Sequence, residues 1–252
     1  GVSPSGWLAA PAPGPLATLK RAALAGLSWG SVQPDHRRRG VLREMMAQHF
    51  AQLHEQGIAL SGLHAAEVKI YGRFGYGISS VELELELERD ADFTAPLLEE
   101  AASRVTTRLV MADSDDAAKV VHELHVRCAE LTLGAVTRPE RMARPLLVDV
   151  PQARHGREPL KVLLASVDGR PTGYAVFSRK ENWKDFKANG TVGVRELTAE
   201  DPATLLTLSR LLVDFHITTP LPLHHRRSVD PMALWAEGPH ASDLRFPTRV
   251  SL

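Results

Sequence analysis

The sequence predicts an α+β protein with mixed sheets, organised as two units of related element order. Up to Arg89, hydrophobic spacing alternates strand, helix, strand, short helix and strand. After Arg89-Asp90 the pattern starts again with a strand, two helices, three strands and a helix. No long identical repeat links the halves, so the two units are inferred from element order alone. A chain of 252 residues with 44% hydrophobic content can bury the cores that two domains need.

The first unit begins with residues 1–20, which are poor in predicted structure because prolines and glycines interrupt them. The elements expected after this segment are a strand at 24–32, a helix at 40–56, a strand at 58–64, a short helix at 66–74 and a strand at 81–88. The residues expected to form the buried face of the long helix are Leu42, Met45, His49 and Leu53. The last strand, VELELELE, carries a glutamate face that is interpreted as solvated, with attraction of a polycationic substrate as the alternative.

The second unit is predicted from a longer series of signals. Its elements are a strand at 106–111, a helix from Ser114 or Asp115 to about Leu131, a helix at 138–147, strands at 160–167 and 172–179, a strand at 191–197 and a helix at 203–215. Asp168-Gly169 is a favourable hairpin turn between the paired strands. Asp201 is expected to cap the last helix, with Pro202 at its first position.

Charge and cysteine content exclude several classes of protein. Thirty basic and thirty acidic residues give a formal charge of zero, which argues against a broad nucleic-acid or membrane surface. No apolar run approaches the roughly 20 residues of a membrane-spanning helix. Cys128 is the only cysteine, so an internal disulfide and a thiolate metal cluster are excluded. We expect a soluble protein of the cytoplasm.

The most informative segment joins the first strand to the long helix and predicts an anion site. It reads Val32-Gln33-Pro34-Asp35-His36-Arg37-Arg38-Arg39-Gly40-Val41-Leu42. A helix N-terminus offers unpaired N–H groups and a positive dipole end, and guanidinium groups add charge-assisted bonds to phosphate. Glycine lets the backbone approach a ligand closely. We interpret the segment as a pyrophosphate cradle, with a solvated basic turn as the alternative.

Two motifs carry a resemblance to a known family. The stretch HRRRGVLREMM, followed by LHAAEVKIYGRFGYG, is similar to the Eis (enhanced intracellular survival) branch of the GCN5-related N-acetyltransferases (GNAT). The match is tight over residues 25–89, and GRPTGYAVF and NGTVGVREL resemble the second domain of that branch. The resemblance implies tandem GNAT-like domains that transfer acetyl groups from acetyl-CoA to aminoglycosides or lysine side chains. It also implies a homo-oligomer, a hexamer.

The resemblance assigns roles to particular residues. Those implied to bind acetyl-CoA are Ser31 and Val32, beside the pantetheine, and Arg37, Arg38, Arg39, Gly40, Val41 and Leu42, around the pyrophosphate. Tyr71 aligns with the tyrosine that protonates the sulfur of CoA, and a phenol is protonated at neutral pH, as a general acid must be. The alternative for Tyr71 is a core aromatic beside Phe74 and Tyr76.

Other candidates have less specific signals. His64 and Glu67 lie beside the expected cleft, where each either contacts the acceptor and relays a proton or has a structural role. Direct transfer is expected, because Cys128 is far in sequence from both motifs. The run His122-Glu123-Leu124-His125 lacks the spacing of a zinc motif, so we expect no metal site there.

The domain organisation expected from these patterns is an acetyl-CoA-binding domain at 1–90, a CoA-free domain at 91–222, and a linker or the start of a further domain at 223–252. The first domain is expected to lack its front half, so the chain is expected to be incomplete. In the second domain, residues 198–202 contain two carboxylates and no arginine, which disfavours phosphate. Family members use a C-terminal carboxylate as base, and no motif assigns that role to Leu252. The alternative function is a non-catalytic acyl-CoA-binding, regulatory or structural module.

Overall fold

A computed structural model describes residues 4–9, 20–28, 30–65, 67–87, 91–184, 187–188, 190–214, 221–227, 230–237, 242–245 and 250–251. Two compact units divide the chain. One contains Gly1–Val81, Thr132–Thr137 and Thr248–Leu252, and the other contains Glu82–Leu131 and Arg138–Pro247. We call them unit 1 and unit 2. The division falls within a strand, after Val81.

The regular elements are as follows. The described helices are α1 (Val41–Glu55), α2 (Glu99–Ser103), α3 (Asp115–Glu130), α4 (Ala143–Leu147), α5 (Pro202–Val213) and α6 (Met232–Trp235). The described strands are β1 (Pro4–Ala9), β2 (Lys20–Leu27), β3 (Leu60–Ala65), β4 (Ser80–Leu87), β5 (Asp92–Phe93), β6 (Val105–Met111), β7 (Val136–Thr137), β8 (Lys161–Val167), β9 (Arg170–Lys180), β10 (Trp183–Lys184), β11 (Lys187–Ala188), β12 (Thr191–Ala199), β13 (Leu221–Arg227), β14 (Ala236–Glu237), β15 (Ser242–Arg245) and β16 (Val250–Ser251).

Unit 1 is built on a sheet with the strand order β7-β1-β2-β3-β16, followed by the first residues of β4. Strands β2 and β3 are parallel, from Leu24 opposite Leu60 to Leu27 opposite Leu63, and α1 connects them. The other pairs are antiparallel. A parallel pair with a crossover helix places the N-terminus of that helix beside the carboxyl end of the first strand, where ligands of such folds commonly bind.

The start of unit 1 differs from the sequence prediction. Residues 1–20 were expected to lack structure, yet Pro4–Ala9 forms β1 and pairs with β2 over its whole length. Proline is tolerated at the first residue of a strand, and Pro4 occupies that position. The strand expected at 24–32 is shifted towards the N-terminus and spans Lys20–Leu27.

Helix α1 confirms the expected helix but corrects its buried face. The buried residues are Met46, His49 and Leu53, whereas Met45 is 39% exposed. The short helix expected at 66–74 is two 3₁₀ turns, Val68–Ile70 and Gly72–Phe74. Gly75, which has a φ of 89°, ends the second turn in a conformation that favours glycine.

Unit 2 contains an antiparallel sheet with the strand order β12-β9-β8-β6. Helices α3 and α5 pack on its opposite faces, because residues of β9 alternate between two cores. Tyr174 belongs to the core that contains Leu124 of α3, and Phe177 belongs to the core that contains Leu206 of α5. The predicted hairpin is present, since Asp168 and Gly169 both have positive φ.

Helix ends in unit 2 follow the predicted capping residues. Ser114 accepts a hydrogen bond from the Ala117 N–H at the start of α3. The Asp201 carboxylate accepts a hydrogen bond from the Thr204 N–H at the start of α5. The helix expected at 138–147 is instead a 3₁₀ turn, Glu140–Met142, that continues into α4.

The described residues of 223–252 include strands, where a linker or the start of a further domain was expected. Strand β13 pairs with β4, and β15 also pairs with β4. Leu223 and Met232 are buried in the same core as Leu85 and Leu87 of β4. Leu223 and Met232 bury apolar surface within unit 2, and this burial stabilises the fold in a way that a solvated linker would not.

Candidate functional site

A groove of about 850 Å³ in unit 1 contains most of the predicted site residues. Three segments form it: the loop after β2, the first turn of α1, and the 3₁₀ turns that follow β3. The lining residues are Gly30, Ser31, Val32, His36, Arg37, Arg38, Gly40, Val41, Leu42, Arg43, Glu67, Ile70, Tyr71, Arg73 and Phe74. The groove therefore joins the arginine segment to Tyr71, two regions that are separate in the sequence.

The N-terminus of α1 faces this groove and can accept an anion. Gly40 is the N-cap residue with a φ of 82°, and its carbonyl accepts the first helical bond, from the Glu44 N–H, at 3.1 Å. The N–H groups of the first turn have no acceptor within a helix. A Cβ added to Gly40 would meet nothing within 4 Å, so the left-handed backbone, rather than crowding, favours glycine here.

Arginine side chains supply the positive charge of the groove. Arg37, Arg38 and Arg43 are exposed and line it, and Arg38 has a positive φ of 62°. The Arg39 side chain is exposed and is not among the lining residues that the structure describes. Sequence analysis missed Arg43 and Arg73, although Arg43 lies in the first turn of the helix and Arg73 within the IYGRFGYG motif.

Tyr71 lies between the two 3₁₀ turns. Its N–H donates to the Val68 carbonyl at 3.2 Å, and its carbonyl accepts from the Phe74 N–H at 2.9 Å. The half-buried ring packs against Leu63 and Ala65 and also lines the groove. Tyr71 therefore packs in the core on one side and lines the groove on another, and its role as a general acid stays a prediction.

Of the two accessory candidates, the structure brings only Glu67 to the groove. Glu67 is exposed and lines the groove beside Tyr71. His64 is exposed on β3, between the inward-facing residues Leu63 and Ala65, and is not among the described lining residues. Strand alternation accounts for the exposed position of His64, because neighbouring residues point to opposite faces of a sheet, whereas Glu67 lies after the end of β3.

A partly buried hydrogen-bond chain leads to the ring beside Tyr71, and sequence analysis did not find it. Nε2 of His49 is 2.8 Å from Oγ of Ser61, which is 2.6 Å from the Tyr76 hydroxyl. Burial lowers the pKa of His49 and raises the pKa of Tyr76. The Tyr76 ring meets the Tyr71 ring edge-on, with centroids 5.9 Å apart. The sequence signal was limited to His49 on the predicted buried face of α1.

The low pKa of His49 predicts that acid destabilises the protein. Because burial disfavours the imidazolium, the folded protein binds fewer protons than the unfolded chain once the pH falls below the ordinary His value of 6.5. The free energy of unfolding should therefore be largest above that pH and should decrease between pH 7 and about 5. Urea unfolding at a series of pH values measures it.

The variant His49→Gln should reduce this acid sensitivity, because glutamine does not titrate. His54→Gln changes an exposed histidine of the same helix and is the matched control, which should keep the sensitivity of the parent protein. Equal acid sensitivity in His49→Gln and the parent would contradict the assignment.

In unit 2, carboxylates occupy the position that corresponds to the arginine loop. Asp201 accepts the Thr204 N–H of α5 at 2.8 Å. Glu200 forms ion pairs with Arg127 and with Arg170, the latter at 2.8 Å. Because the Asp201 carboxylate already accepts an N–H of the first turn, an added phosphate would compete with it and meet its negative charge there.

The other histidine and cysteine candidates have structural partners. His125 accepts the Arg138 N–H on Nε2 at 3.3 Å, and the Arg138 guanidinium donates to Glu196 at 2.7 Å. Burial raises the pKa of the Cys128 thiol to about 11, so it is a poor nucleophile at neutral pH. Within the part of the chain that the structure describes, no three His, Cys, Asp or Glu side chains converge as metal ligands. Leu252 lies outside the described residues.

The described helices include none with the length and apolar character required to cross a membrane.

Comparison with known proteins identifies two domains of one family. Residues 18–79 match an acetyltransferase (GNAT) domain, and residues 134–250 match another acetyltransferase (GNAT) domain. An uncharacterised N-acetyltransferase from Streptomyces avermitilis is 34% identical over 202 residues, which are 80% of this chain and 48% of that protein. N-acetyltransferase Eis from Mycobacterium tuberculosis is 30% identical over 206 residues, 79% of this chain and 49% of that protein. The chain spans about half the length of these curated relatives.

Solved structures show the same fold. Eis1 from Mycobacterium abscessus matches with a TM-score of 0.74 and 22% identity, over 99% of this chain and 60% of that one. A GCN5-related N-acetyltransferase from Anabaena variabilis matches with a TM-score of 0.77 and 16% identity, over 99% of this chain and 57% of that one. The predicted α+β class with two GNAT domains is thereby confirmed. The chain belongs to the GCN5-related N-acetyltransferases, a family of acyltransferases, and is Eis-like within it.

Proposed function

We propose that this chain is an N-acetyltransferase that moves an acetyl group from acetyl-CoA directly to a primary amine of a cationic acceptor, such as an aminoglycoside or a lysine side chain. The observation that carries the proposal is the shared groove, which joins an anion-accepting helix N-terminus to a tyrosine. GNAT acetyltransferases use acetyl-CoA, and the relatives from Streptomyces and Mycobacterium are named N-acetyltransferases.

Donor binding is assigned to the β2–α1 side of the groove. Arg37 and Arg38, with the backbone amides at the start of α1, hold the pyrophosphate through charge-assisted hydrogen bonds. Ser31 and Val32 follow the carboxyl end of β2 and offer backbone groups to the pantetheine amides, as an added strand would. The carboxylates at the start of α5 favour a single donor site for each chain.

Chemistry is assigned to the side of the groove formed by residues 67–74. The acceptor enters as an ammonium ion, which the Glu67 carboxylate attracts and deprotonates. The neutral amine attacks the thioester carbonyl, so a C–N bond forms and the C–S bond breaks. The Tyr71 hydroxyl donates its proton to the departing sulfur, which leaves as the free thiol of CoA. The resulting Tyr71 phenolate takes up the proton that the nitrogen loses as it becomes an amide, which restores the hydroxyl.

A thiol-release assay with acetyl-CoA and a panel of amines tests the proposed function. Amine-dependent release of thiol, with acetylated amine identified by mass spectrometry, is the expected result. CoA binding without amine-dependent release would favour the alternative, a non-catalytic acyl-CoA-binding module.

Glu67→Gln should weaken the use of the acceptor more than the use of the donor. Loss of this carboxylate removes the negative charge that attracts the ammonium ion and the base that deprotonates it. We therefore expect the acceptor KM to rise about 5-fold and kcat to fall, while the KM for acetyl-CoA stays unchanged. Steady-state kinetics with each substrate varied in turn measures both values. Glu55→Gln, an exposed position in the last turn of α1, is the matched control. A rise in the KM for acetyl-CoA alone would contradict the assignment.

A further inference from the structure

The hydrogen-bond chain formed by His49, Ser61 and Tyr76 connects three segments of unit 1. His49 comes from α1, Ser61 from β3, and Tyr76 from the loop before β4. His49 is 6% exposed, and both partners are partly buried. When Nε2 of His49 accepts, Ser61 donates to it and accepts from the Tyr76 hydroxyl, so that every group of the chain has a partner.

The hydrogen-bond chain ends at Tyr76, whose ring contacts the ring of Tyr71. The Tyr71 and Tyr76 rings are inclined at 74° with centroids 5.9 Å apart, which is an edge-to-face contact. Phe50 contacts the Tyr76 ring from α1, with centroids 6.0 Å apart. The Tyr76 ring is thus fixed at its hydroxyl by Ser61 and at its face by neighbouring rings.

The backbone around Tyr71 is rich in glycine, so its side-chain contacts matter for its orientation. Gly72, Gly75 and Gly77 lie within six residues of it in the chain. Glycine gives the backbone more freedom than any other residue. A general acid must nevertheless hold its proton within hydrogen-bond reach of the leaving atom.

We propose that His49, Ser61 and Tyr76 are positioning residues, whose hydrogen-bond chain fixes the Tyr76 ring and, through it, the Tyr71 phenol in the groove. The inference rests on the proposed function, in which Tyr71 protonates the sulfur of CoA. It extends that function to residues that need no contact with either substrate. Helix α1 then serves two purposes, because its N-terminus holds the donor and its His49 supports the acid.

Ser61→Ala and Tyr76→Phe in the full chain test the proposal. Each substitution removes one hydroxyl from the hydrogen-bond chain, and Tyr76→Phe keeps the aromatic ring. We expect kcat to fall about 3- to 10-fold in each, since small misplacements of a reacting group are costly, with an unchanged KM for acetyl-CoA. Ser61→Thr keeps a hydroxyl and should recover most of kcat. Tyr174→Phe, which removes a buried hydroxyl from unit 2, controls for general destabilisation and should retain kcat.

A double-mutant cycle with Tyr71→Phe separates positioning from a structural role. If Ser61 acts through the Tyr71 hydroxyl, Ser61→Ala should have almost no further effect on the residual kcat of Tyr71→Phe. If Ser61→Ala lowered kcat by the same factor in the parent protein and in Tyr71→Phe, the positioning role would be overturned while Tyr71 remained the acid. Full kcat in Tyr71→Phe would overturn the acid assignment itself, and the positioning role with it.

Discussion

Tyr71→Phe should lower kcat by about 100-fold or more, the range expected when a general acid is removed. The change deletes one hydroxyl and keeps the ring that packs on Leu63, Ala65 and Tyr76. The thiolate of CoA must then leave without a proton, so the effect belongs to the chemical step. The KM for acetyl-CoA and the affinity for CoA should change little.

Single-turnover kinetics, together with CoA titration, measures the two effects separately. Tyr174→Phe is the matched control, because Tyr174 is fully buried in unit 2 and donates to Glu196 at 2.6 Å. Loss of that hydroxyl should affect the unfolding midpoint and leave kcat near its parent value. Unchanged single-turnover rates in Tyr71→Phe would remove Tyr71 from the mechanism and favour its role as a core aromatic.

Features with a local signal were predictable from the sequence. Asp168-Gly169 forms its hairpin because two residues with positive φ match the twist of the paired strands. Ser114 and Asp201 cap their helices through hydrogen bonds that span only three residues. Helix α1 begins after Gly40, which has a positive φ and no side-chain capping bond, so the position of the helix N-terminus also had a local signal in the sequence.

Features that depend on distant pairing were not predictable in this way. Strand β1 gains its structure from pairing with β2 and β7, and the latter lies more than a hundred residues away in the chain. Ser61 has no motif of its own, and its place between His49 and Tyr76 depends on how α1 packs on β3. Met46 replaces Met45 on the buried face because the packing selects the orientation of the helix.

The two units differ at the N-terminus of a corresponding helix. In unit 1 the crossover helix α1 begins after Gly40, with arginines beside it. In unit 2 the corresponding helix begins at Asp201, and Glu200 is paired with Arg170. Capping by a carboxylate stabilises the helix and at the same time removes its capacity to bind a phosphate.

Replacing the groove arginines should weaken CoA binding strongly. A hydrogen bond to a charged group contributes about 1.5 to 3 kcal/mol, so Arg37→Ala and Arg38→Ala should each raise the Kd for CoA about 10- to 100-fold. The loss should appear in binding alone, measured by calorimetry without an acceptor amine. The Kd of the parent protein for CoA should depend strongly on salt, because added salt screens exposed charges. The Kd of the double variant Arg37→Ala/Arg38→Ala should depend on salt less.

Arg108→Ala is the matched control, since Arg108 is exposed on β6 of unit 2 and should leave the Kd unchanged. The same titration gives the stoichiometry, for which we expect one CoA for each chain. Unchanged CoA affinity in Arg38→Ala would refute the pyrophosphate cradle. A second CoA that survives in the double variant would place a donor site in unit 2, against the repulsion expected from Glu200 and Asp201. Because this measurement requires no catalysis, it tests the donor site independently of Tyr71 and of the acceptor.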